Sequence, residues 1–188
     1  MISMLGRFRF LIAVMGVWLV FVGHVWSAQG DKPEASTDAA GIWAGKTIWV
    51  VDVNTNDYYT GFLQQAIVEQ LPQFAPGAIV RHVITAAKGN PFFLLKQADY
   101  PDAVIIALGM CEASSKNVVN FASEARKKKI PALMIYFAEV REPMVKWMKT
   151  YRTPEDLAIE SEQLPQSEQE AAALAKGLIP KLFDKLKQ

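Results

Sequence analysis

The sequence has few of the residues on which most redox and metal chemistry depends. It contains one cysteine, Cys111, so an internal disulfide and a C-x-x-C dithiol cycle are both excluded. Of its two histidines, His24 lies in the N-terminal apolar segment, and His82 falls in the middle of a predicted strand. We therefore expect no zinc site built from histidine and cysteine, we assign no metal ligand, and the sequence specifies no cofactor.

Nucleotide-binding glycine motifs and an excess of charge are absent as well. Neither a G-x-G-x-x-G nor a Walker A pattern follows the first predicted strand. The chain has 20 Lys and Arg against 19 Asp and Glu. Without the N-terminal segment, which holds Arg7 and Arg9, 18 basic residues face 19 acidic ones, a net charge of −1. A nearly neutral domain attracts nucleic acid weakly, so we exclude that class of partner.

The first 28 residues have the layout of a secretory signal peptide. Arg7 and Arg9 come first without any acidic residue, an apolar stretch covers residues 10–23, and small residues follow. The apolar part is shorter than the roughly 20 residues of a membrane-spanning helix. We therefore predict an exported protein of the bacterial periplasm. The alternative is an uncleaved N-terminal anchor in the inner membrane, facing the periplasm, and this is the only expected contact with a membrane.

Residues 29–45 are small and polar apart from Ile42 and Trp43, and we predict a flexible leader there. We expect Trp43 to pack in the core, as we do Trp49 and Trp147. Beyond it, apolar runs typical of strands alternate with helical patterns, which predicts a parallel sheet covered by helices. We expect a single three-layer α/β domain over residues 46–188, with a four-stranded parallel sheet in the flavodoxin-like order 2-1-3-4 and helices on both faces. The predicted strands are residues 46–53, 77–85, 102–109 and 130–138, and the predicted helices are residues 59–71 (ended by Pro72), 90–98, 114–129, 142–151 and 167–186.

Polar side chains follow the ends of several predicted strands. Asp52 and Asn54 come at the end of the first strand, Cys111 follows the third, and Arg141 follows the fourth. In open parallel sheets, ligands bind beyond the carboxyl ends of the strands, at the point where the strand order reverses. With the order 2-1-3-4, strands one and three are neighbours at that point. Asp52 and Cys111 are therefore predicted to face one crevice.

The stretch around the cysteine resembles a strand–turn–helix nucleophile elbow. Gly109 permits a tight exit from the strand, and the helix that follows would favour the thiolate form of Cys111. Ser114 and Ser115 would cap this helix or donate to a bound anion. Two other interpretations stay open: Cys111 is a small buried hydrophobic residue, and Ser114 is simply an N-cap. The charge of Glu112 would oppose a thiolate.

The segment "PDAVIIALGMCEASSKNVVNFASEARKKKIPALMIYFAE", residues 101–139, resembles the UGSC-like family. That family is named for a stretch of selenocysteine or cysteine, Gly, Ser and Cys, which lies between a hydrophobic strand and a helix. Cys111 falls at the first redox position of the motif. The resemblance covers roughly residues 46–140, and it implies an α/β fold with the motif at a strand–helix junction.

The chain departs from the family pattern at the remaining motif positions. Glu112 and Ala113 replace the Gly and Ser, and Ser114 stands where the second Cys would be. If the family carries out thiol redox chemistry, this chain lacks the resolving thiol. It would then need an external thiol to complete a cycle, or it has kept the fold and binds a ligand instead.

Two functions of different classes follow from these residues. The first is an exported small-molecule-binding or accessory protein, and the second is a single-thiol redox or nucleophilic enzyme that uses Cys111. We favour the first, because catalysis by one thiol usually needs a nearby base or a second thiol. The expected ligand is a small polar or thiol-reactive molecule, and a protein partner is a third alternative. The predicted ligand-binding residues are Asp52, Asn54, Gly109, Glu112, Ser114, Ser115 and Arg141.

Overall fold

The sheet of the protein is parallel throughout. The computed structural model describes residues 41–52, 58–84, 99–107, 112–162 and 164–187. Five strands are hydrogen-bonded in the order β2-β1-β3-β4-β5. They are β1 (Thr47–Asp52), β2 (Ile79–Ile84), β3 (Ala103–Ala107), β4 (Ala132–Phe137) and β5 (Ala158–Ser161). The described helices of eight or more residues are α1 (Tyr58–Phe74), α2 (Glu112–Lys127), α3 (Arg141–Thr150) and α4 (Glu168–Leu186).

Alternate residues of each strand enter two separate hydrophobic cores. In β1, Ile48 and Val50 pack in the core that α1 and α4 cover, whereas Trp49 and Val51 pack in the core that α2 and α3 cover. A strand buried on both faces has no polar side to show, which is why β1, β3 and β4 are continuous apolar runs in the sequence. The predicted α/β class and the strand order 2-1-3-4 are confirmed.

The predicted number of four strands is wrong, because a fifth strand extends the sheet. β5 pairs in parallel with β4, with Met134 opposite Ala158 and Phe137 opposite Ser161. It lies at the edge of the sheet, and in its four residues only Ile159 and Ser161 are buried. Such a short and half-exposed strand lacks the apolar run that identified the others.

The first helix continues past the residue predicted to end it. α1 includes Pro72 and ends at Phe74, and the Ala75 N–H still donates to the Leu71 carbonyl at 2.8 Å. Proline removes a single backbone donor and crowds one preceding carbonyl, which the last turn of a helix tolerates. Pro76 and Gly77 then form a tight turn, closed by the Ala78 N–H and the Ala75 carbonyl, and Gly77 has the positive φ of 83° that such a turn requires.

The last helix begins as the sequence predicted, with one difference in its capping bonds. The Ser167 hydroxyl accepts from the Glu170 N–H at 3.2 Å, as expected for a capping box. The Glu170 carboxylate, however, accepts from the Gln166 N–H at 2.8 Å rather than from that of the capping residue. The carboxylate thus fixes the chain one residue earlier and holds the entry into α4.

Trp43 belongs to the hydrophobic core although it precedes the first strand. It is 5% exposed and lies in the core of α1 and α4, where its ring centroid is 6.0 Å from that of Phe183. The Gly45 N–H donates to the Gly77 carbonyl at 2.8 Å, which joins this segment to the turn before β2. The packed domain therefore begins inside residues 29–45, for which the sequence predicted a flexible leader.

Several predicted segments lie outside the described residues. These are the signal peptide or anchor (residues 1–28), most of the leader and the helix predicted for residues 90–98. None of the helices in the described ranges combines the length and the apolar character that crossing a bilayer requires.

Candidate functional site

The strand order reverses between β1 and β3. The chain passes from β1 through α1 to β2 on one side of β1, and it then crosses to β3 on the other side. At the carboxyl ends of these strands, Asp52 is opposite Ala107 on β3 and opposite Ile84 on β2. Strands one and three are thus neighbours, as the predicted crevice requires. The rim beyond Asp52 and Ala107 is the position where open α/β sheets bind ligands.

Asp52 is a buried carboxylate at this rim. It is 7% exposed, and it is one of four buried polar or charged side chains among the described residues. Side chains alternate along a strand, so Asp52 lies on the same face as Ile48 and Val50, toward α1. Burial of a carboxylate costs free energy unless charge or hydrogen bonds compensate for it. A buried carboxylate at the switch point is therefore a candidate site residue.

A second buried polar side chain, Gln64, reaches the same rim from α1. It is fully buried, and its Nε2 donates to the Ala107 carbonyl at 3.4 Å. Its Oε1 has no hydrogen-bond partner within the described segments. A buried acceptor without a partner costs about 1–3 kcal/mol. Ala107 is the register partner of Asp52, so the carboxamide bonds to the residue directly opposite the carboxylate-bearing one.

Gln64 was not predicted as a site residue, although the sequence contains a signal for it. Gln64 lies three residues before Ile67 and seven before Leu71, so it belongs to the buried stripe of α1. Phe62 and Val68, two apolar residues of the same helix, are only partly buried. A polar residue inside an apolar stripe is the pattern that identifies a buried hydrogen-bonding role.

His82 lies on the same face of the sheet, near the edge. It is opposite Val50 on β1, two residues before the end of β2, and it is half-buried. Its Nε2 is buried and finds no hydrogen-bond partner in the described part of the chain. Like the Oε1 of Gln64, this nitrogen is a buried polar atom that the described residues leave unbonded.

The helix that follows β3 begins at Glu112, close to the same rim. The first backbone N–H groups of α2 have no partner within the helix, and they form the positive end of its dipole. Ser114 and Ser115 are the third and fourth residues of α2. The interpretation of Ser114 as the N-cap is therefore wrong, because the helix starts two residues earlier. Cys111, Gly109 and Asn54, which were also predicted for this site, lie outside the described residues.

Arg141 is held at a different place from Asp52. It begins α3, and its Nε is 3.3 Å from the Glu160 carboxylate on β5. Glu160 also accepts a long hydrogen bond of 3.4 Å from the Tyr136 hydroxyl. β5 is three strands from β1, which corresponds to roughly 14 Å at the usual strand spacing. The structure thus brings Asp52 and Gln64 together, and it places Arg141 in a separate cluster with Glu160 and Tyr136.

The cluster of Tyr136, Glu160 and Arg141 predicts a loss of stability at high pH. Burial, and then the charge of Glu160, raises the pKa of Tyr136 above its ordinary value of 10.0. The native state therefore keeps this proton at a pH where the unfolded chain has released it. The resulting stability is complete below about pH 10 and is lost as the pH rises through the native pKa.

Urea unfolding of the wild type and of Tyr136→Phe at about pH 8 and about pH 11 measures this effect. We expect the wild type to lose more stability than the variant between the two pH values. An equal loss in both proteins would show that Tyr136 does not contribute.

The sheet order 2-1-3-4-5, with helices on both faces and polar groups at the switch point, defines a doubly wound α/β protein of flavodoxin-like topology. The chain matches no family model, and no curated protein matches it with significant similarity. The resemblance to the UGSC-like family thus stays a hypothesis based on the motif around Cys111. In the described segments, no group of three His, Cys, Asp or Glu side chains is placed to hold a metal ion.

Proposed function

We propose that the protein is an exported small-molecule-binding or accessory protein, with its ligand beyond the carboxyl ends of β1 and β3. The observation that carries this proposal is the buried Oε1 of Gln64, which lacks a partner among the described residues and lies next to Asp52. Buried polar groups in native proteins are nearly always hydrogen-bonded, and exceptions often mark functional positions. A ligand that donates a hydrogen bond to this oxygen would remove the free-energy cost of leaving it buried without a partner.

The surroundings of the pair support the same location. α2 begins at Glu112, a few residues beyond the end of β3, so the N–H groups of its first turn are near the rim. Asn54, Gly109 and Cys111 follow β1 and β3 directly in the sequence, and Ser114 and Ser115 are in the first turn of α2. We include these residues in the proposed crevice. We leave out Arg141, because its guanidinium pairs with Glu160 on β5.

Export remains part of the proposal, and it is supported by the basic and then apolar layout of residues 1–28. An exported domain with a polar crevice fits a protein that captures a small molecule or hands it to a partner. The resemblance of the stretch around Cys111 to the UGSC-like motif supports the same α/β frame, with one thiol in place of two.

A thermal-shift screen of the full chain against small cationic, anionic and neutral polar molecules tests the proposal. A ligand present at 100 times its Kd adds about 2.7 kcal/mol of stability, which corresponds to an increase in Tm of about 5–10 °C for a domain of this size. We expect at least one class of molecule to produce a saturable shift, and we expect this shift to persist in Cys111→Ser.

The thiol enzyme is the alternative that the same screen distinguishes. Loss of the ligand effect in Cys111→Ser, together with alkylation by iodoacetamide faster than that of free cysteine, would favour catalysis by the thiol. The absence of any stabilising molecule would contradict the binding function and favour a protein that acts only through a protein partner.

A further inference from the structure

We propose that the crevice selects ligands that carry a hydrogen-bond-donating organic cation, of the ammonium or amidinium class. This inference rests on the proposed function and specifies the chemistry of its ligand. It follows from the two buried side chains at the rim: Gln64 has an acceptor that the described residues leave unbonded, and Asp52, which has an interaction of its own, brings a negative charge.

The orientation of the Gln64 carboxamide is fixed by its one hydrogen bond. A backbone carbonyl can only accept, so the atom that faces the Ala107 oxygen at 3.4 Å must be the Nε2 donor. The reverse orientation would place two oxygens against each other. The remaining atom is therefore the Oε1 acceptor, and a ligand group that satisfies it must donate a hydrogen.

Asp52 adds negative charge next to this acceptor. It is the register partner of Ala107, and adjacent strands are about 4.8 Å apart, so both side chains border the same small volume on the α1 side. A ligand carboxylate or phosphate would meet acceptors and like charge there. An ammonium gains from both groups, because hydrogen bonds between charged partners are about twice as strong as neutral ones.

A metal ion and a neutral hydroxyl fit the pair less well. Hard metal ions take several oxygen ligands, whereas the described residues place no group of three candidate side chains together. A hydroxyl would satisfy Gln64 but would gain little from the charge of Asp52. The imidazole of His82, on the same face, is a side chain that can donate or accept a hydrogen bond, so it is compatible with either type of ligand.

The start of α2 at Glu112 favours an anionic ligand, so the affinities for a cation and for an anion are the quantities to compare. The positive end of α2 favours an anion at the same rim. If the helix dominated selection, the preferred ligand would be a carboxylate or a phosphate. The cation is preferred only if the buried pair of Asp52 and Gln64 determines the choice.

Titration of the full chain with three two-carbon probes, followed by two-dimensional ¹H–¹⁵N NMR, tests the inference. Ethanolamine is a cation, ethylene glycol is neutral and glycolate is an anion, so the probes differ mainly in charge. We expect ethanolamine to give saturable shifts of the Gln64 side-chain amide and of the Asp52 backbone amide. The other two probes should bind at least about 10-fold more weakly.

Two variants of one helix provide a matched pair. Gln64→Met keeps the length of the side chain and removes the acceptor, and it should weaken ethanolamine binding about 10-fold. Gln70→Met is the control, because the Gln70 amide also donates to an alanine carbonyl, that of Ala172, at 2.9 Å. The control should bind as the wild type does. Gln64→Met should also melt no earlier than the wild type, since it removes a buried acceptor that lacks a partner.

A second variant keeps the test independent of how Gln64→Met folds. Gln64→Leu also removes the acceptor and places no oxygen against the Ala107 carbonyl, so it should likewise weaken ethanolamine binding about 10-fold. Stronger binding of glycolate than of ethanolamine, or wild-type affinity in Gln64→Met, would overturn the inference and leave the proposed binding function standing. If neither these probes nor the screened library produced any effect, both proposals would fail.

Discussion

Replacing Trp43 with alanine is expected to lower the free energy of unfolding by about 3–5 kcal/mol. The side chain is 5% exposed and packs against Phe183 of α4 in the core that also contains α1. Removing the indole leaves a cavity beside Phe183 in this core, and the close-packed side chains around it can fill it only in part. Urea unfolding followed by far-UV circular dichroism measures the loss without relying on tryptophan fluorescence.

Two further variants separate the contribution of the ring from that of the segment. The neighbouring residue, Ile42, is 45% exposed, so Ile42→Ala should change stability by no more than about 0.5 kcal/mol. Trp43→Phe keeps an aromatic ring and removes the buried Nε1, which finds no hydrogen-bond partner among the described residues, so it should cost much less than alanine. A loss below about 1 kcal/mol in Trp43→Ala would instead show that this segment behaves as the predicted leader.

The strands that the sequence predicted correctly are those buried on both faces. β1, β3 and β4 are short runs of mainly apolar residues. Such a short apolar run is typical of a parallel strand that is covered on both faces. Their order followed from the connections, since short crossovers place successive parallel strands side by side. These two rules locate the switch point beside Asp52 before any coordinates are known.

The features that could not be predicted depend on contacts between distant residues. β5 has only one buried apolar residue, Ile159, and it becomes a strand because the edge of β4 offers hydrogen-bonding partners. The burial of Trp43 was predicted, but its aromatic neighbour, Phe183, is 140 residues further along the chain and was not. Arg141 follows the fourth strand as expected, but its partner Glu160 belongs to the strand that was missed.

The candidate site was predicted in position and only partly in composition. The sequence identified Asp52 because it ends an apolar strand, but Gln64 was overlooked because glutamine in a helix usually faces water. Its role is defined by the Ala107 carbonyl, 43 residues away in the sequence. The start of α2 at Glu112 rather than near Ser114 moves the free N–H groups closer to the end of β3.

Substituting Asp52 with asparagine is expected to weaken the binding of ethanolamine by about 10- to 100-fold. Asparagine keeps the shape of the side chain and removes its charge, so the fold should persist while a charge-assisted hydrogen bond, worth about 1.5–3 kcal/mol, is lost. The preference for ethanolamine over ethylene glycol should shrink by a similar factor, because the two probes then differ little in their attraction to the site. The same NMR titration measures both changes.

Asp102→Asn is the matched control, because this aspartate precedes the neighbouring strand β3 and lies at the opposite end of the sheet from Asp52. Its Oδ2 accepts from the Thr47 N–H at 2.8 Å, at the start of β1. Thr47 and Asp52 are five positions apart, which is roughly 16 Å along a strand. The control should therefore lower stability and leave the affinity for ethanolamine unchanged. If both variants reduced affinity equally, the effect would come from the overall charge of the protein, and the local role of Asp52 would be contradicted.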